Sequence, residues 1–256
     1  YQTPQRTGHW GRVYLPRDEE KYLKYEKFYL FETFTSVDDW MEPRALLLPN
    51  LSLLDGVPTT NNDDPLVPGR YSAWIDALEE EGVPSGMIDR MSVGVVAAPP
   101  YNEAVQNHSA VIRARWYDCY KFVSGGKDAL AAVRKFSGDP LSVLVLEGMG
   151  QDRCEDHSES EITEFRDTPN IISYKTSSQK AGYTVLSDVW YPGWRAYLDG
   201  EEVEILRADY LFRAVEVPAG EHTIEFVYRP MSFYIGLLLS LAAITGLAVY
   251  KRRVDE

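Results

Sequence analysis

The chain has 256 residues and a formal net charge of -13. A surface this acidic repels phosphate backbones and excludes nucleic acid as a partner. A hydrophobic share of 45% is ample for one or two packed domains, and 17 Tyr with 6 Trp favour β-rich structure, because aromatic rings pack well on a pleated face.

The chain begins with Tyr1, and no basic segment followed by an apolar run stands near its start. It therefore reads as a fragment or a processed product. Residues 11–15 read as a strand, and 19–40 is charged and aromatic without a clean period. Residues 50–64 are loop-like, with Asn61-Asn62-Asp63-Asp64-Pro65 as a strong breaker. A helix follows from Pro68, with Tyr71, Trp74, Ile75 and Leu78 making one apolar face, and Gly82 and Pro84 stop it. A short helix at 87–91 leads into an apolar strand at 93–98. Residues 110–123 are strand-rich, 127–136 is helical and 142–147 is a buried strand. Residues 150–160 are acidic and read as a linker.

Beyond the linker the period changes to alternation. Residues 161–165, 171–176 and 183–189 read as strands. Tyr191-Pro192-Gly193-Trp194 fits a type II turn. Strands at 194–198 and 203–206 flank Asp199-Gly200, a strong hairpin signal. Strands at 212–217 and 222–228 flank Pro218-Ala219-Gly220. Residues 231–250 carry no charge, and about 18–20 apolar residues at 1.5 Å each span a hydrocarbon core of about 30 Å. Lys251, Arg252 and Arg253 follow, which places the tail in the cytoplasm and residues 1–230 outside it. Gly236, Ser240, Ala242 and Gly246 set small residues at four-residue spacing, which suits close approach of another helix. The expected fold is α+β: a small α/β unit within 1–150, an antiparallel β-sandwich at 160–230, one transmembrane helix at 231–250 and a cytoplasmic tail at 251–256.

Two groups of residues stand out as candidate binding sites. Asp63, Asp64, Arg70 and Tyr71 form a polar constellation, in which Arg70 could hold a phosphate or carboxylate through its planar fork. The plainer reading is an Asp–Pro turn beside a surface arginine. Trp190, Tyr191 and Trp194 surround a turn; exposed, they would stack on sugar rings or lie among lipid headgroups, and buried, they would close the sandwich core. Cys154-Glu155-Asp156-His157 lacks a second ligand pair at zinc-like spacing, so neither a metal nor another cofactor is expected. Whether Cys119 and Cys154 form a disulfide stays open. No phosphate loop, nucleophile elbow or zinc-protease motif is present, and no catalytic residue is assigned.

The run Leu186-Ser187-Asp188-Val189-Trp190-Tyr191-Pro192-Gly193-Trp194-Arg195-Ala196-Tyr197-Leu198-Asp199-Gly200 resembles the C-terminal signature of the YfhO-like bacterial membrane proteins. The resemblance continues through Arg207-Ala208-Asp209-Tyr210-Leu211-Phe212-Arg213, Val217-Pro218-Ala219-Gly220-Glu221-His222-Thr223 and Tyr228-Arg229-Pro230. Weaker echoes lie in Pro49-Asn50-Leu51, Asp64-Pro65-Leu66, Arg70-Tyr71 and Val145-Leu146-Glu147-Gly148. Such proteins look like multi-spanning GT-C glycosyltransferases that move a sugar from a polyprenyl-phosphate donor to an envelope polymer such as teichoic acid. The resemblance implies a catalytic carboxylate upstream, in a first extracytoplasmic loop. It makes membrane lipid, upstream transmembrane helices, the polyprenyl-linked sugar and the envelope polymer the expected partners. One departure bears on sugar stacking: the family tends to show Gly-Tyr-Asp where this chain has Asn62-Asp63-Asp64. The rival reading is a non-catalytic, membrane-anchored module that binds an envelope glycan or a partner protein. A third is a domain that only stabilises the membrane bundle.

Overall fold

The computed structural model describes residues 11–28, 40–61, 66–82, 85–98, 103–106, 113–136, 142–154 and 158–254. The N-terminal elements are β1 (Arg12–Tyr14), α1 (Arg17–Lys21), a π-helical stretch (Tyr22–Phe28), α2 (Met41–Ala45), a 3-10 helix (Leu51–Asp55), α3 (Gly69–Glu81), α4 (Gly86–Arg90), β2 (Val93–Ala98) and β3 (Glu103–Gln106). They are followed by β4 (Ala114–Tyr117), β5 (Tyr120–Val123), α5 (Gly126–Lys135) and β6 (Leu144–Glu147). Then come β7 (Ser160–Thr168), β8 (Ile171–Ser178), β9 (Gly182–Leu186), β10 (Trp194–Leu198), β11 (Glu201–Val203), β12 (Leu206–Ala208), β13 (Phe212–Val217), β14 (Gly220–Tyr228) and α6 (Met231–Val254).

Alternation is clearest in β8, where Ile172, Tyr174, Thr176 and Ser178 are buried while Ile171 and Lys175 face out. A period of two sets one face of a strand on a core. This strand belongs to an antiparallel five-stranded sheet ordered β11-β10-β14-β8-β7. Its inner face, with Tyr174, Ala196, Ile224 and Phe226, packs on Trp116, Leu186, Val215 and Val217 of a six-stranded sheet. That second sheet is ordered β4-β9-β13-β12-β6-β5. Its other face packs Val185, Phe212 and Ala214 against Trp74, Leu78, Met87 and Val133 of the helices. The layers are thus helices, mixed sheet and antiparallel sheet, an α+β architecture. β1, β2 and β3 make a smaller third sheet.

One sheet of the sandwich lies within 160–230, and the other draws on both sides of residue 150. β4 pairs with β9, and Ala208 of β12 pairs with Leu146 of β6. β5 and β6 are parallel and joined through α5, because a parallel pair needs a crossover. The acidic stretch read as a linker is tied down. Arg153 and Tyr120 exchange backbone hydrogen bonds of 3.0 and 2.6 Å, a disulfide joins Cys119 to Cys154, and the Ser158 hydroxyl donates to Asp118 at 2.7 Å.

Two strand expectations change at their ends. The strand expected at 183–189 stops at Leu186, because Ser187 and Asp188 turn toward arginine partners. The strand expected at 203–206 is split: β11 closes the Asp199-Gly200 hairpin in one sheet and β12 joins the other. Asp199 and Gly200 both have positive φ, 51° and 90°, as a tight primed turn requires.

Helix α6 contains an 18-residue window, Met231–Ala248, long and apolar enough to cross a membrane, none of it buried by the rest of the chain. A helix apolar all round belongs in lipid when protein does not cover it. Ser240 and Thr245 satisfy their hydroxyls on the carbonyls of Gly236 and Leu241, at 2.9 and 2.8 Å, so neither presents an unpaired donor to hydrocarbon.

Candidate functional site

The site is built by the loop that leaves β9. Ser187 N–H donates to the Arg113 carbonyl at 2.8 Å, and Trp190 N–H donates to the Leu211 carbonyl at 2.8 Å. Between them Asp188 turns inward and meets three guanidinium groups. Arg12 pairs with one carboxylate oxygen. Arg113 donates to both oxygens at 3.0 and 2.8 Å, and Arg213 donates to one at 2.8 Å. Burial alone would raise the Asp188 carboxyl, but the hydrogen bonds from Arg113 and the charges of Arg12, Arg113 and Arg213 outweigh it and hold the group well below the usual carboxylate range. Burial pushes Arg213 down to about 10, against the opposing pull of Asp188. The Arg213 Nε and Nη1 atoms are buried without an acceptor.

The far end of the loop is the expected turn. Gly193 has φ of 103°, which an L side chain rarely adopts. A Cβ there would lie 3.0 Å from the Pro230 Cα and 3.0 Å from the Tyr228 ring. Its carbonyl accepts from Arg229 N–H at 2.6 Å. The turn therefore sits on the residues that lead directly into α6.

Around this loop lie two hollows that share Pro68, Val189, Tyr191 and Leu211 in their linings. The larger, of about 650 Å³, is lined by Arg12, Thr60, Tyr71, Asp188, Trp194 and Arg213, with Leu66, Val67 and Tyr191 at its lip. The smaller, of about 210 Å³, lies on the other side of Tyr191 and includes Arg70, Trp190, Arg207 and Tyr210. Arg213 stacks on Trp194 at 4.0 Å and Arg207 on Trp190 at 3.9 Å. Tyr191 is 52% exposed.

Five of the sequence-derived candidates, Arg70, Tyr71, Trp190, Tyr191 and Trp194, line these hollows. Asp63 and Asp64 lie outside the described residues. Arg70 spends its fork on Glu147 and donates to the Tyr210 carbonyl at 2.9 Å. Tyr71 donates to the Thr60 carbonyl, and burial raises its hydroxyl to about 12. Trp194 also packs on the sandwich core. Sequence reasoning missed Arg12, Arg113, Asp188, Arg207 and Arg213. Three of these stand inside the signature, so their recurrence beside the tryptophans was the available signal. Cys154 is in the disulfide and is no thiolate ligand. Asp188, fixed by three cations, is suited to holding charge and geometry, not to shuttling protons near neutral pH.

No curated protein and no solved structure matches the chain. Residues 151–240 match the model of the family described as bacterial membrane protein YfhO. The matched span holds Asp188, both stacked tryptophans, Arg207 and Arg213, and it ends within α6. The C-terminal region of this chain is thus similar to that of the YfhO bacterial membrane proteins over residues 151–240.

Proposed function

We propose that the chain is the extracytoplasmic C-terminal part of a multi-spanning membrane glycosyltransferase. That enzyme would transfer a sugar from a polyprenyl-phosphate donor to a cell-envelope polymer, and this part would serve as a lid or acceptor-positioning region. The observation that carries the reading is the seat of the cleft-forming turn on Arg229 and Pro230. A lid over a membrane-embedded site has to stand at the bilayer surface, and this turn packs on the two residues that directly precede α6. The aromatic and cationic lining suits sugar rings and anionic groups. The cations at 251–253 favour a cytoplasmic tail and an outward-facing body. The small residues Gly236, Ser240, Ala242 and Gly246 offer α6 a face for upstream helices. The sugar-transfer chemistry belongs to a carboxylate upstream; Asp188 does not supply it.

The test is deletion of residues 161–228 from the complete protein, followed by assay of envelope-polymer glycosylation. Loss of glycosylation with the upstream helices still inserted supports the reading, and full retention ends it. The locking of Asp188 by arginines favours one alternative, a non-catalytic module that holds an envelope glycan or a partner. On that reading the anchored chain binds teichoic acid while the complete protein transfers no sugar.

A further inference from the structure

The smaller hollow carries an imbalance of charge. Arg70 is matched by Glu147, which accepts from both of its terminal nitrogens. Arg207 has no ion pair among the described residues: it stacks on Trp190, and Glu147, already bonded to Arg70, acts on it only as a nearby charge. Two guanidiniums and one carboxylate leave one positive charge over, in a chain whose formal net charge is -13. Register sharpens the point. Arg207 lies directly opposite Arg213 across β12 and β13, and like charges so placed repel. Arg213 has Asp188 to offset this; Arg207 has no ion pair of that kind among the described residues. Burial and the nearby Arg70 charge lower the Arg207 pKa, against the smaller opposing pull of Glu147 and Tyr210.

The rim of the two hollows says where that anion comes from. Leu66 is 84% exposed, Val67 41% and Tyr191 52%. All three line the larger hollow, and Tyr191, in the turn that rests on Pro230, is shared with the smaller one that holds Arg207. A lip facing water would carry that apolar area at a cost. At the level where α6 enters the bilayer, the same side chains lie among headgroups and upper acyl chains, where aromatic residues are favoured. A free small anion would answer the charge but not the lip.

We propose that Arg207, held flat on Trp190, binds the phosphate of an anionic lipid headgroup, with Leu66, Val67 and Tyr191 resting in the bilayer surface beside it. The site stands whether or not the upstream part of the protein transfers sugar. The guanidinium fork supplies two parallel donors to phosphate oxygens, and the stack on Trp190 restricts its rotation. The hollow of about 210 Å³ has room for the phosphate and its next few atoms.

The experiment titrates the 256-residue chain in nonionic micelles with short-chain phosphatidylglycerol, reading tryptophan fluorescence. Short-chain phosphatidylcholine and inorganic phosphate serve as separate arms. The expected result is saturable binding of phosphatidylglycerol, weakened about tenfold in R207Q and less in R207K, which keeps the charge but loses the fork. Y191S, at an exposed position, weakens the lipid while leaving any inorganic phosphate binding unchanged, and it carries the test should R207Q lower the melting temperature. Three outcomes overturn the proposal. In one, R207Q and Y191S both bind phosphatidylglycerol as tightly as the parent. In another, phosphatidylcholine binds equally, so the lip alone takes up lipid. In the third, inorganic phosphate binds as tightly as the lipid, so the hollow is a small-anion pocket.

Discussion

Replacing Asp188 by Asn removes one charge from the centre of the arginine cluster and changes little else. Asn has nearly the same shape and keeps one acceptor oxygen. Arg113 retains Asp167 and is 30% exposed at its side chain. Arg12 retains the carbonyls of Met91 and Ser187. Arg213 is the group left stranded: its side chain is 2% exposed, and Asp188 is its ion-pair partner. Breaking a buried pair by removing one partner costs about 3–5 kcal/mol. The remaining amide oxygen argues for about 3 kcal/mol, the low end of that range. For a body of this size about 1 kcal/mol moves the midpoint by about 2–4 °C, so D188N should melt about 6–12 °C lower at pH 7. Thermal unfolding in micelles, followed by far-UV circular dichroism, reads the shift. The double variant D188N/R213M also removes the stranded cation, so its loss should fall short of the sum of the single losses by about 1 kcal/mol or more. The pH sign follows from the depressed Asp188 pKa. The unfolded carboxyl titrates near 3.8. The stabilisation is therefore complete above about pH 4 and drains away as pH falls toward the folded value. D188N should lack that acid limb. A D188N loss under about 1 kcal/mol, or strict additivity with R213M, would refute the claim that this carboxylate neutralises a buried cation.

Three other substitutions probe the frame around the site. The Cys119–Cys154 disulfide closes a loop with a sequence separation of 35, which corresponds to about 3–4 kcal/mol of chain entropy; C119S should lower stability by about that amount, and reductant should reproduce the drop in the parent but not in the variant. Gly193→Ala places a side chain at positive φ against Pro230 and Tyr228. It should cost about 1–3 kcal/mol and alter tryptophan emission as the turn lifts from its seat. Trp74 is fully buried and meets Phe212 edge-on at 5.3 Å, so W74A should cost about 3–5 kcal/mol. Because Phe212 lies in β13, hydrogen exchange should quicken across Phe212–Val217 as well as in α3; exchange confined to α3 would mean that the helical layer opens alone.

Local pattern revealed most of the elements and little of their assembly. The face Tyr71, Trp74, Ile75 and Leu78 announces α3 because helical period and burial coincide there. Ile224, Phe226 and Tyr228 announce β14 for the same reason at a period of two. Nothing local says that Ala208 pairs with Leu146 or that Trp116 lies opposite Thr184. These pairings join distant parts of the chain, and they turn an expected linker into a strap inside one sheet system. The site divides similarly. Trp190, Tyr191 and Trp194 are conspicuous because three large aromatics flank a Pro-Gly turn. Arg207 and Arg213 look like ordinary outward-facing charges in alternating strands. Only the register sets them side by side, and only the course of the loop brings Asp188 and two indoles over them. Arg12 and Arg113 come from so far upstream that no spacing rule could have joined them to Asp188.

The tryptophans and the arginines also explain each other. Two cations opposite one another on adjacent strands are an unfavourable pair, yet each has an indole face within about 4 Å. A cation–π contact of this kind contributes about 0.5–2 kcal/mol. Both indoles belong to one short loop. Asp188 fixes its start on the arginines, and Gly193 fixes its end on Arg229 and Pro230. The loop is thus clamped between the charged face of a sheet and the residues that lead into α6.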